Sequence, residues 1–384
     1  MNKIIRTFYP VGQGAFYSER HENFNIVYDC GTEFPKRSDK GIKRTVETAF
    51  RKEEEIDILF ISHFDFDHVG HIGTLKNSVK KIKKVVLPLL HNDIKILLAS
   101  FYKGIGEDNV SALISNPQEF FGEGTTIIEI ESSENTETPI DNDLEHIEID
   151  NLNRNQQSGK GIIKKFAKYE WIFIPYNHDY KSRNSVLETE LTKAGFDVDK
   201  MKNDVSYSLD EIIIDVAKKK ENGGKKFKEI YEKLEGDINQ NSMVVYSGIM
   251  QYPNSKFIIY DLFYNSCCMD DYFHRRYWRR HFEEDRVSCI YTGDTNLNTV
   301  KINSIFAKYW DSVGLIQIPH HGDIKSFDKA ILDFPKLCPI SAGKNNTYGH
   351  PADKVVIDIL SHASTSMLIT EDKSSIFVQI IKVL

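Results

Sequence analysis

The stretch IDILFISHFDFDHVGHIGTL at positions 56–75 constrains the fold more than any other part of the sequence. It opens with apolar, β-branched residues, which predict a buried strand that ends near Ser62. Ionisable side chains follow the strand at close spacing, namely His63, Asp65, Asp67, His68 and His71. An isolated histidine is more often an ordinary core or surface residue, but this density at a strand end favours a shared crevice. Imidazole and carboxylate groups can hold a divalent cation there and leave a position for water.

Similar apolar runs recur along the chain and alternate with helical periodicity, which predicts a layered α/β fold. The predicted strands are 4–8, 25–28, 56–61, 84–87, 126–130, 171–174, 243–246, 257–260, 287–291, 314–318, 339–341, 366–370 and 375–383. The predicted helices are 42–54, 73–83, 93–102, 209–220, 225–234, 299–311, 326–334 and 352–361. No internal repeat or linker marks a second core, so we predict one domain over 1–384.

Three segments interrupt this alternation and are predicted to be insertions. Residues 131–160 are rich in Glu, Asn, Ser and Asp, which predicts a solvated loop or flap. Residues 181–237 are predicted to form a Lys-rich helical insertion, and residues 252–286 mix aromatic residues with arginines. We expect the choice of substrate to depend on these insertions.

Composition excludes several classes of protein. The 384 residues are 40% hydrophobic and 27% charged, which excludes a disordered chain and a small disulfide scaffold. The net charge of -7 argues against a protein that coats nucleic acid through global positive charge, although a local basic channel stays compatible. The chain has 5 cysteines, and no two of them have a CxxC spacing, which indicates a reducing compartment. Without an apolar signal core or a run of roughly 20 apolar residues, the chain is predicted to be cytoplasmic and free of the membrane.

The HxDxDH sequence at positions 63–68 resembles the metal loop of the metallo-β-lactamase superfamily. It is more similar still to the variant with Asp in the second His position, which occurs in the nuclease-like domain of the competence DNA-uptake channel protein. Further motifs that resemble this domain follow in the same order, namely PVGQGAF (10–16), VYDCG (27–31), NQNSMVV (239–245), YTGDT (291–295), IPHHGDIKS (318–326) and SAGKNNTYGHP (341–351). The resemblance implies a four-layer αββα sandwich and a metal-dependent hydrolase.

The resemblance also implies roles for individual residues. One metal ion would take His63, Asp65 and a later histidine, and a second would take Asp67 and His68, with Asp294 as the bridge. The later ligand would come from the His320 and His321 pair, with His320 favoured. The remaining residues with implied roles are His350 as a ligand or phosphate contact, Asp67 and His321 as catalytic groups, and Asp29 as a brace behind the loop. From the residues alone, Asp294 could instead cap a helix that starts near Thr299.

Two divalent cations are therefore expected, with Mn²⁺ or Zn²⁺ as the first candidates and Mg²⁺ as a third. Asp65 takes the place of an imidazole, and a carboxylate-rich set of ligands shifts preference from Zn²⁺ toward the harder ions. The sequence also departs from the family pattern. Gln317 stands where Lys is frequent, which weakens the case for DNA, and His71 is better explained as a helix start than as a ligand. His178 is a weak candidate for a further histidine of the pattern.

The predicted substrate contacts lie on the later motifs and on an arginine cluster. They are Asn241, Asn346, Tyr348, Arg275, Arg276, Arg279 and Arg280. Arginines neutralise phosphates and aromatic residues stack on bases, but the same arginines could pair with acidic residues 283–285 on a solvated helix.

The leading hypothesis is a two-metal phosphodiesterase or nuclease, freestanding and similar to proteins of bacterial defence against phage. One alternative is a hydrolase of cyclic or signalling nucleotides or of another ester. A second alternative is a metal-binding regulatory subunit that acts only with a co-encoded protein partner. The oligomeric state is left open.

Overall fold

The computed structural model describes residues 3–33, 40–141, 144–179, 181–203, 241–250, 257–263, 277–278 and 286–384. Within them the strands are β1 Lys3–Phe8, β2 Phe16–His21, β3 Phe24–Cys30, β4 Glu55–Phe60, β5 Lys81–Pro88, β6 Thr126–Ile130, β7 Ser132–Ser133, β8 Ile147–Glu148, β9 Ile162–Lys165, β10 Glu170–Asp179, β11 Asn241–Ile249, β12 Phe257–Phe263, β13 Tyr277–Trp278, β14 Ser288–Tyr291, β15 Val313–Ile316, β16 Leu337–Ser341, β17 Thr365–Ile369 and β18 Phe377–Val383. The α-helices are α1 Lys40–Ala49, α2 Phe66–Val69, α3 Ile72–Ser78, α4 Asn92–Gly104, α5 Asp108–Ser115, α6 Pro117–Phe121, α7 Lys181–Lys193, α8 Val198–Asn203, α9 Ile302–Ile305 and α10 Asp353–Ser361.

These strands form two mixed sheets within the described residues. The first sheet has the order β13-β12-β18-β1-β2-β3-β4-β5-β6, and its strands β3 to β6 run parallel. The second sheet has the order β17-β16-β15-β14-β11-β10-β9-β8, and its strands β14 to β17 run parallel. Each sheet therefore has one set of parallel strands whose carboxyl ends lie at a common edge.

Aromatic and β-branched side chains fill the space between the sheets, where Phe60 and Trp171 are fully buried. A second apolar cluster lies between the first sheet and α1 to α8, and a third lies between the second sheet and α9, α10 and the nearby 3₁₀ turns. Strands that are apolar on both faces need cover on both sides, which the helices provide. This is the four-layer αββα sandwich that the resemblance implies.

The predicted strands are confirmed with boundaries shifted by a few residues, but several other elements differ from expectation. The predicted helix 73–83 ends at Ser78, because β5 begins at Lys81. Residues 299–311 contain only the short helix α9 and a 3₁₀ turn, and residues 326–334 contain only a 3₁₀ turn. Strands β2 and β9 and helices α5 and α6 were not predicted from the sequence.

The predicted insertions are more closely tied to the core than expected. The polar segment 131–160 contains β7 and β8, and its Ile149 and Leu152 are buried between the sheets. It is therefore not simply a solvated loop. In the Lys-rich segment, Leu187 and Leu191 of α7 pack into the outer core of the first sheet. The predicted helices 209–220 and 225–234 lie outside the described residues, as does most of the arginine and aromatic segment.

Within the part of the chain that the structure describes, no helix has the length and apolar character needed to cross a membrane.

Candidate metal centre

The loop after β4 supplies most of the ionisable side chains of the centre. Phe64 and Phe66 alternate with the polar residues and insert into the outer core of the first sheet. His63, Asp65 and Asp67 are therefore directed away from that core, although all of them are buried by other parts of the chain. The backbone carbonyl of Ser62 accepts a hydrogen bond from the amide of Met243 at 2.9 Å, which ties the loop to the second sheet.

The second sheet brings its own side chains from the carboxyl ends of β14 and β15. Asp294 follows β14 after Gly293. The φ of Gly293 is 54°, a conformation that favours glycine. A Cβ added at this position would lie only 2.8 Å from the Ser62 Cβ. His320 and His321 follow β15 and have φ values of 49° and 56°. Non-glycine residues in this left-handed region cost conformational energy, and such strain concentrates at functional sites.

Together these loops form two groups of ligand atoms that lie within 4.8 Å of one another in each group. The first consists of His63, Asp65 and Asp294, and the second of Asp67, His68, Asp294 and His321. Asp294 belongs to both, because its Oδ1 lies 3.1 Å from the His68 Nε2 and its Oδ2 lies 3.6 Å from the His63 Nε2. The His320 Nε2 lies 3.8 Å from the same Oδ2, at the side of the first group.

The metal-facing histidines are each oriented by a hydrogen bond at Nδ1. They are His63, His68, His320 and His321. The His68 Nδ1 donates to Asp29 Oδ2 at 2.8 Å, and the His321 Nδ1 donates to the Ser341 carbonyl at 2.8 Å. The His63 Nδ1 lies 2.8 Å from the Ser62 hydroxyl, which donates to Asp29. The His320 Nδ1 lies 3.3 Å from the Ser326 hydroxyl, which donates to Asp323.

Each serine hydroxyl has given its hydrogen to a carboxylate, so it accepts from the imidazole beside it. Every metal-facing histidine therefore has a donating Nδ1. In His63, His68 and His320 this leaves Nε2 as the nitrogen that could hold a cation, whereas the His321 Nε2 lies 2.8 Å from Asp67 Oδ2.

The buried polar atoms of these residues indicate that the site could hold a divalent cation. Within the described residues, the His63 Nε2, the His68 Nε2, the Asp67 Oδ1 and both oxygens of Asp294 are buried without a hydrogen-bond partner. Leaving such atoms unpaired is costly in a protein interior, and a cation would satisfy them together. Imidazole nitrogens combined with carboxylate oxygens suit Zn²⁺, Mn²⁺ or Mg²⁺.

The electrostatics of the protein without cations point the same way. Burial opposes ionisation of Asp294, yet His68 and His320 outweigh it and hold the pKa of Asp294 well below its usual range. Burial also opposes the charged form of His68, but Asp294, Asp67 and Asp29 raise the pKa of His68 well above its usual value. For His63, burial and His68 are outweighed by the carboxylates of Asp294 and Asp65, which raise its pKa to about 9. The pocket thus favours positive charge.

Asp29 lies behind the loop, at the place predicted for a brace. Its Oδ1 accepts from the Ser62 amide at 2.7 Å, and its Oδ2 accepts from the Ser62 hydroxyl at 2.6 Å as well as from His68. Asp29 itself has a φ of 55°. These contacts fix the orientation of two ligand-type imidazoles through one carboxylate.

His350 lies at the rim rather than in either ligand group. Its ring centroid is 5.8 Å from that of His320 and 6.4 Å from that of His321. Burial and the neighbouring His321 and His320 lower the pKa of His350 to about 4, so the ring is neutral near pH 7. The ring of Tyr348 stacks on it at 5.7 Å and is 42% exposed.

The side chain of Asn346, which was predicted as a substrate contact, forms hydrogen bonds within its own loop. Its amide nitrogen donates to the carbonyls of Gly343 and His350 at 2.6 Å, and its oxygen accepts from the His350 amide at 2.9 Å. The structure therefore gives Asn346 the task of shaping the loop that carries His350.

Several other predicted residues lie elsewhere or are not described. Arg275, Arg276, Arg279 and Arg280 lie outside the described residues, and only the backbone of Asn241 is described, as the start of β11. His71 lies immediately before α3, at its N-cap position, in agreement with the predicted helix start. His178 lies in β10 and belongs to neither ligand group, among the residues that the structure describes.

Gln317, at the position where Lys is frequent in the family pattern, makes hydrogen bonds within the protein. Its side-chain oxygen accepts from the amides of Thr292 and Gly293 at 2.8 and 3.0 Å, and its nitrogen donates to the Ile318 carbonyl at 2.7 Å. Gln317 therefore holds the turn that presents Asp294. Ser62, Ser326, Ser341 and Gln13 were not predicted from the sequence. Ser341 acts through its backbone carbonyl and Gln13 meets a partner 337 positions away, whereas Ser62 and Ser326 contact histidines close to them in the chain.

The family model described as the metallo-beta-lactamase superfamily matches residues 10–140. No curated protein matches the chain. Among solved structures, 52 chains match. One is the metallo-beta-lactamase fold protein YhfI from Bacillus subtilis, 14% identical, with a match that covers 22% of this chain and 37% of that chain at a TM-score of 0.17. The family match covers the loop after β4, and with the buried His and Asp cluster it indicates a metal-dependent hydrolase.

Proposed function

We propose that the protein is a phosphodiesterase that hydrolyses nucleic acid with two divalent cations. The observation that supports this most is the sharing of Asp294 between the two ligand groups, with one oxygen toward each group. A pair of cations bridged in this way can stabilise both the entering and the leaving oxygen of an in-line displacement at phosphorus.

The bound cations would lower the pKa of a water molecule and neutralise charge on the phosphoryl oxygens. Asp67 is placed to serve that water, because its Oδ2 is held by the His321 Nε2 at 2.8 Å while its Oδ1 is buried without a hydrogen-bond partner in the described part of the chain. In this role the Asp67 Oδ1 would orient the water and accept its proton, while His68 and Asp294 would hold the cation of the second group. His321 keeps the carboxylate in place and is itself fixed by the Ser341 carbonyl.

The ligand set favours Mn²⁺ as the working ion. Asp65, Asp67 and Asp294 contribute hard oxygen donors to a centre that similar sites build with more imidazole. Harder donors suit Mn²⁺ and Mg²⁺ better than Zn²⁺. We therefore expect turnover with Mn²⁺ to equal or exceed turnover with Zn²⁺.

The choice of nucleic acid as substrate depends on the motifs that resemble the competence-type domain and on the rim of the centre. Tyr348 is an exposed aromatic ring beside His350, and an exposed ring near a phosphodiester site can stack on a base. Cyclic nucleotides share the same chemistry and form the alternative arm of the test.

The test is a panel of cations against substrates. Chelated protein receives Mn²⁺, Mg²⁺ or Zn²⁺ and is incubated with single-stranded DNA, double-stranded DNA, RNA or cyclic nucleotides. We expect phosphodiester cleavage of a nucleic acid, highest with Mn²⁺, and loss of that cleavage in Asp67→Asn. A matched control is Asp141→Asn, an exposed aspartate remote in sequence from the centre.

Three results would contradict parts of the proposal. Restoration by Zn²⁺ alone would remove the metal preference. Cleavage of cyclic nucleotides alone would change the substrate class. An Asp67→Asn rate above about a tenth of the parent rate would remove Asp67 from the catalytic set, because that loss corresponds to only about 1.4 kcal/mol.

A further inference from the structure

His350 is held in the opposite way to the metal-facing histidines. Their Nδ1 atoms donate hydrogen bonds and leave Nε2 toward the centre. The His350 Nδ1 lies instead 3.3 Å from the side-chain nitrogen of Gln13, on the turn that precedes β2. The direction of that single hydrogen bond determines which ring nitrogen of His350 carries the proton.

The orientation of the Gln13 amide follows from its other contact. The backbone amide of Gly343 lies 3.2 Å from the Gln13 Oε1. A backbone N–H can only donate, so the atom that faces it must be the oxygen, and the NH₂ group must face His350. An amide nitrogen also only donates, so the His350 Nδ1 accepts with its lone pair. The proton of the neutral ring therefore resides on Nε2.

The Nε2 atom has no strong partner within the described residues. The nearest carboxylate oxygen among the described residues is Asp323 Oδ1 at 4.0 Å, which is beyond hydrogen-bond distance. The backbone of His350 is fixed on both sides by the Asn346 amide, so the ring is positioned before any ligand arrives. A nitrogen that carries a proton cannot coordinate a cation, but it can donate to an anion.

We propose that His350 is not a metal ligand but donates its Nε2 hydrogen to a phosphoryl oxygen of the substrate, and that Gln13 is the positioning residue that fixes this tautomer. The inference rests on the proposed function for the identity of the acceptor. On one side of the centre, imidazole lone pairs would then bind cations. On the other side, the N–H of His350 would bind the substrate anion.

The tautomer is tested by NMR on the full chain labelled with ¹⁵N-histidine and loaded with diamagnetic Zn²⁺. His350→Gln identifies the His350 signals among those of the 13 histidines. We expect a pyridine-type Nδ1 and a protonated Nε2. In Gln13→Glu the new carboxylate can only accept, so Nδ1 must carry a proton, whether the ring becomes the other neutral tautomer or a cation. Gln118→Glu, the same change at an exposed site, should leave the signals unchanged.

The role is tested by metal affinity and by turnover in the same variants. His350→Gln should keep the parent metal content and lose about 100-fold in turnover, as is usual for removal of one positioned donor. His68→Gln, which removes a nitrogen of the second ligand group, should lose metal. A pyridine-type Nε2 in the parent protein, or loss of metal in His350→Gln, would overturn the inference. If both metal content and tautomer are as expected but no phosphodiester is cleaved, the proposed function fails, and with it the phosphoryl acceptor, while the tautomer assigned through Gln13 is upheld.

Discussion

The buried charges of the metal centre can be compared with a second cluster that lies between the two sheets. In this inter-sheet network, Arg6 of β1 donates to Glu19 of β2 at 2.6 Å and to the Val287 carbonyl at 2.8 Å. Glu19 also accepts from Ser247 at 2.8 Å and from Tyr291 at 2.9 Å. Arg6 and Glu19 are fully buried, as are the members of the two ligand groups to within a few per cent, whereas His320 is only partly buried.

The two clusters differ in how their polar atoms are satisfied. Both carboxylate oxygens of Glu19 have donors from the chain itself, and a cation from the same chain balances its charge. In the metal centre both oxygens of Asp294 are without a hydrogen-bond partner among the described residues. Burial alone therefore does not distinguish the carboxylate of Glu19 from that of Asp294, whereas their internal hydrogen-bond partners do. On the cationic side of the network, the Arg6 Nη2 is also buried without a partner among the described residues.

The largest expected effect is that of Asp294→Asn on the centre. Removal of the shared carboxylate should reduce turnover by at least about 1,000-fold, which corresponds to about 4 kcal/mol of transition-state stabilisation. It should also abolish the rise in melting temperature on addition of Mn²⁺, because cation binding stabilises only the folded state. Steady-state kinetics and thermal unfolding with and without Mn²⁺ provide the measurement. A variant that keeps the Mn²⁺-dependent rise would show that Asp294 is not a ligand.

The next effect is that of Glu19→Gln on the inter-sheet network. The variant leaves the Arg6 guanidinium buried without its counter-charge, which should lower the free energy of unfolding by about 3–5 kcal/mol. The stabilisation by Mn²⁺ should persist. Urea unfolding gives both quantities, and the double variant Arg6→Met with Glu19→Leu should recover part of the loss. A double variant no more stable than Glu19→Gln would argue against the ion pair as the cause.

A pH series separates the two clusters further. Burial opposes ionisation of Glu19, but Arg6 and His21 lower the pKa of Glu19 to about 2 from an ordinary value near 4.5. The contribution of Glu19 is therefore fully present above pH 4.5 and is lost as the pH falls toward 2, by about 3 kcal/mol. The difference in unfolding free energy between the parent and Glu19→Gln should shrink over this window. If the difference in unfolding free energy stayed constant from pH 6 to pH 2, the pKa of Glu19 would not be lowered in the folded protein.

The same contrast explains what the sequence could predict. The metal loop is a local pattern, since His63 to His68 lie within one short stretch after a strand, and the later motifs are short as well. The apolar strands could likewise be predicted from β-branched runs. In contrast, β2 was missed because its sequence FYSERH places Glu19 and His21 at buried positions, which reverses the usual apolar pattern.

Partners distant in sequence account for the rest of what could not be predicted. Arg6 meets Val287 across 281 positions, and Gln13 meets His350 across 337 positions. No local pattern contains such a pair, so neither the inter-sheet network nor the tautomer of His350 was predictable. Short helices such as α5 and α6 are marginal alone and form through packing on the core.

The smallest expected effect comes from a matched pair of buried serines, one from each cluster. Ser62→Ala removes the hydroxyl that accepts from His63 and donates to Asp29, so the affinity for Mn²⁺ should fall by about 10- to 100-fold, while turnover at saturating Mn²⁺ changes little. Ser247→Ala removes a donor to Glu19 and should lower the unfolding free energy by about 1–3 kcal/mol with no change in Mn²⁺ affinity. Titration against a competing chelator and urea unfolding measure the two effects. Equal Mn²⁺ affinities in both variants would show that the Ser62 hydroxyl does not orient the His63 imidazole for a cation.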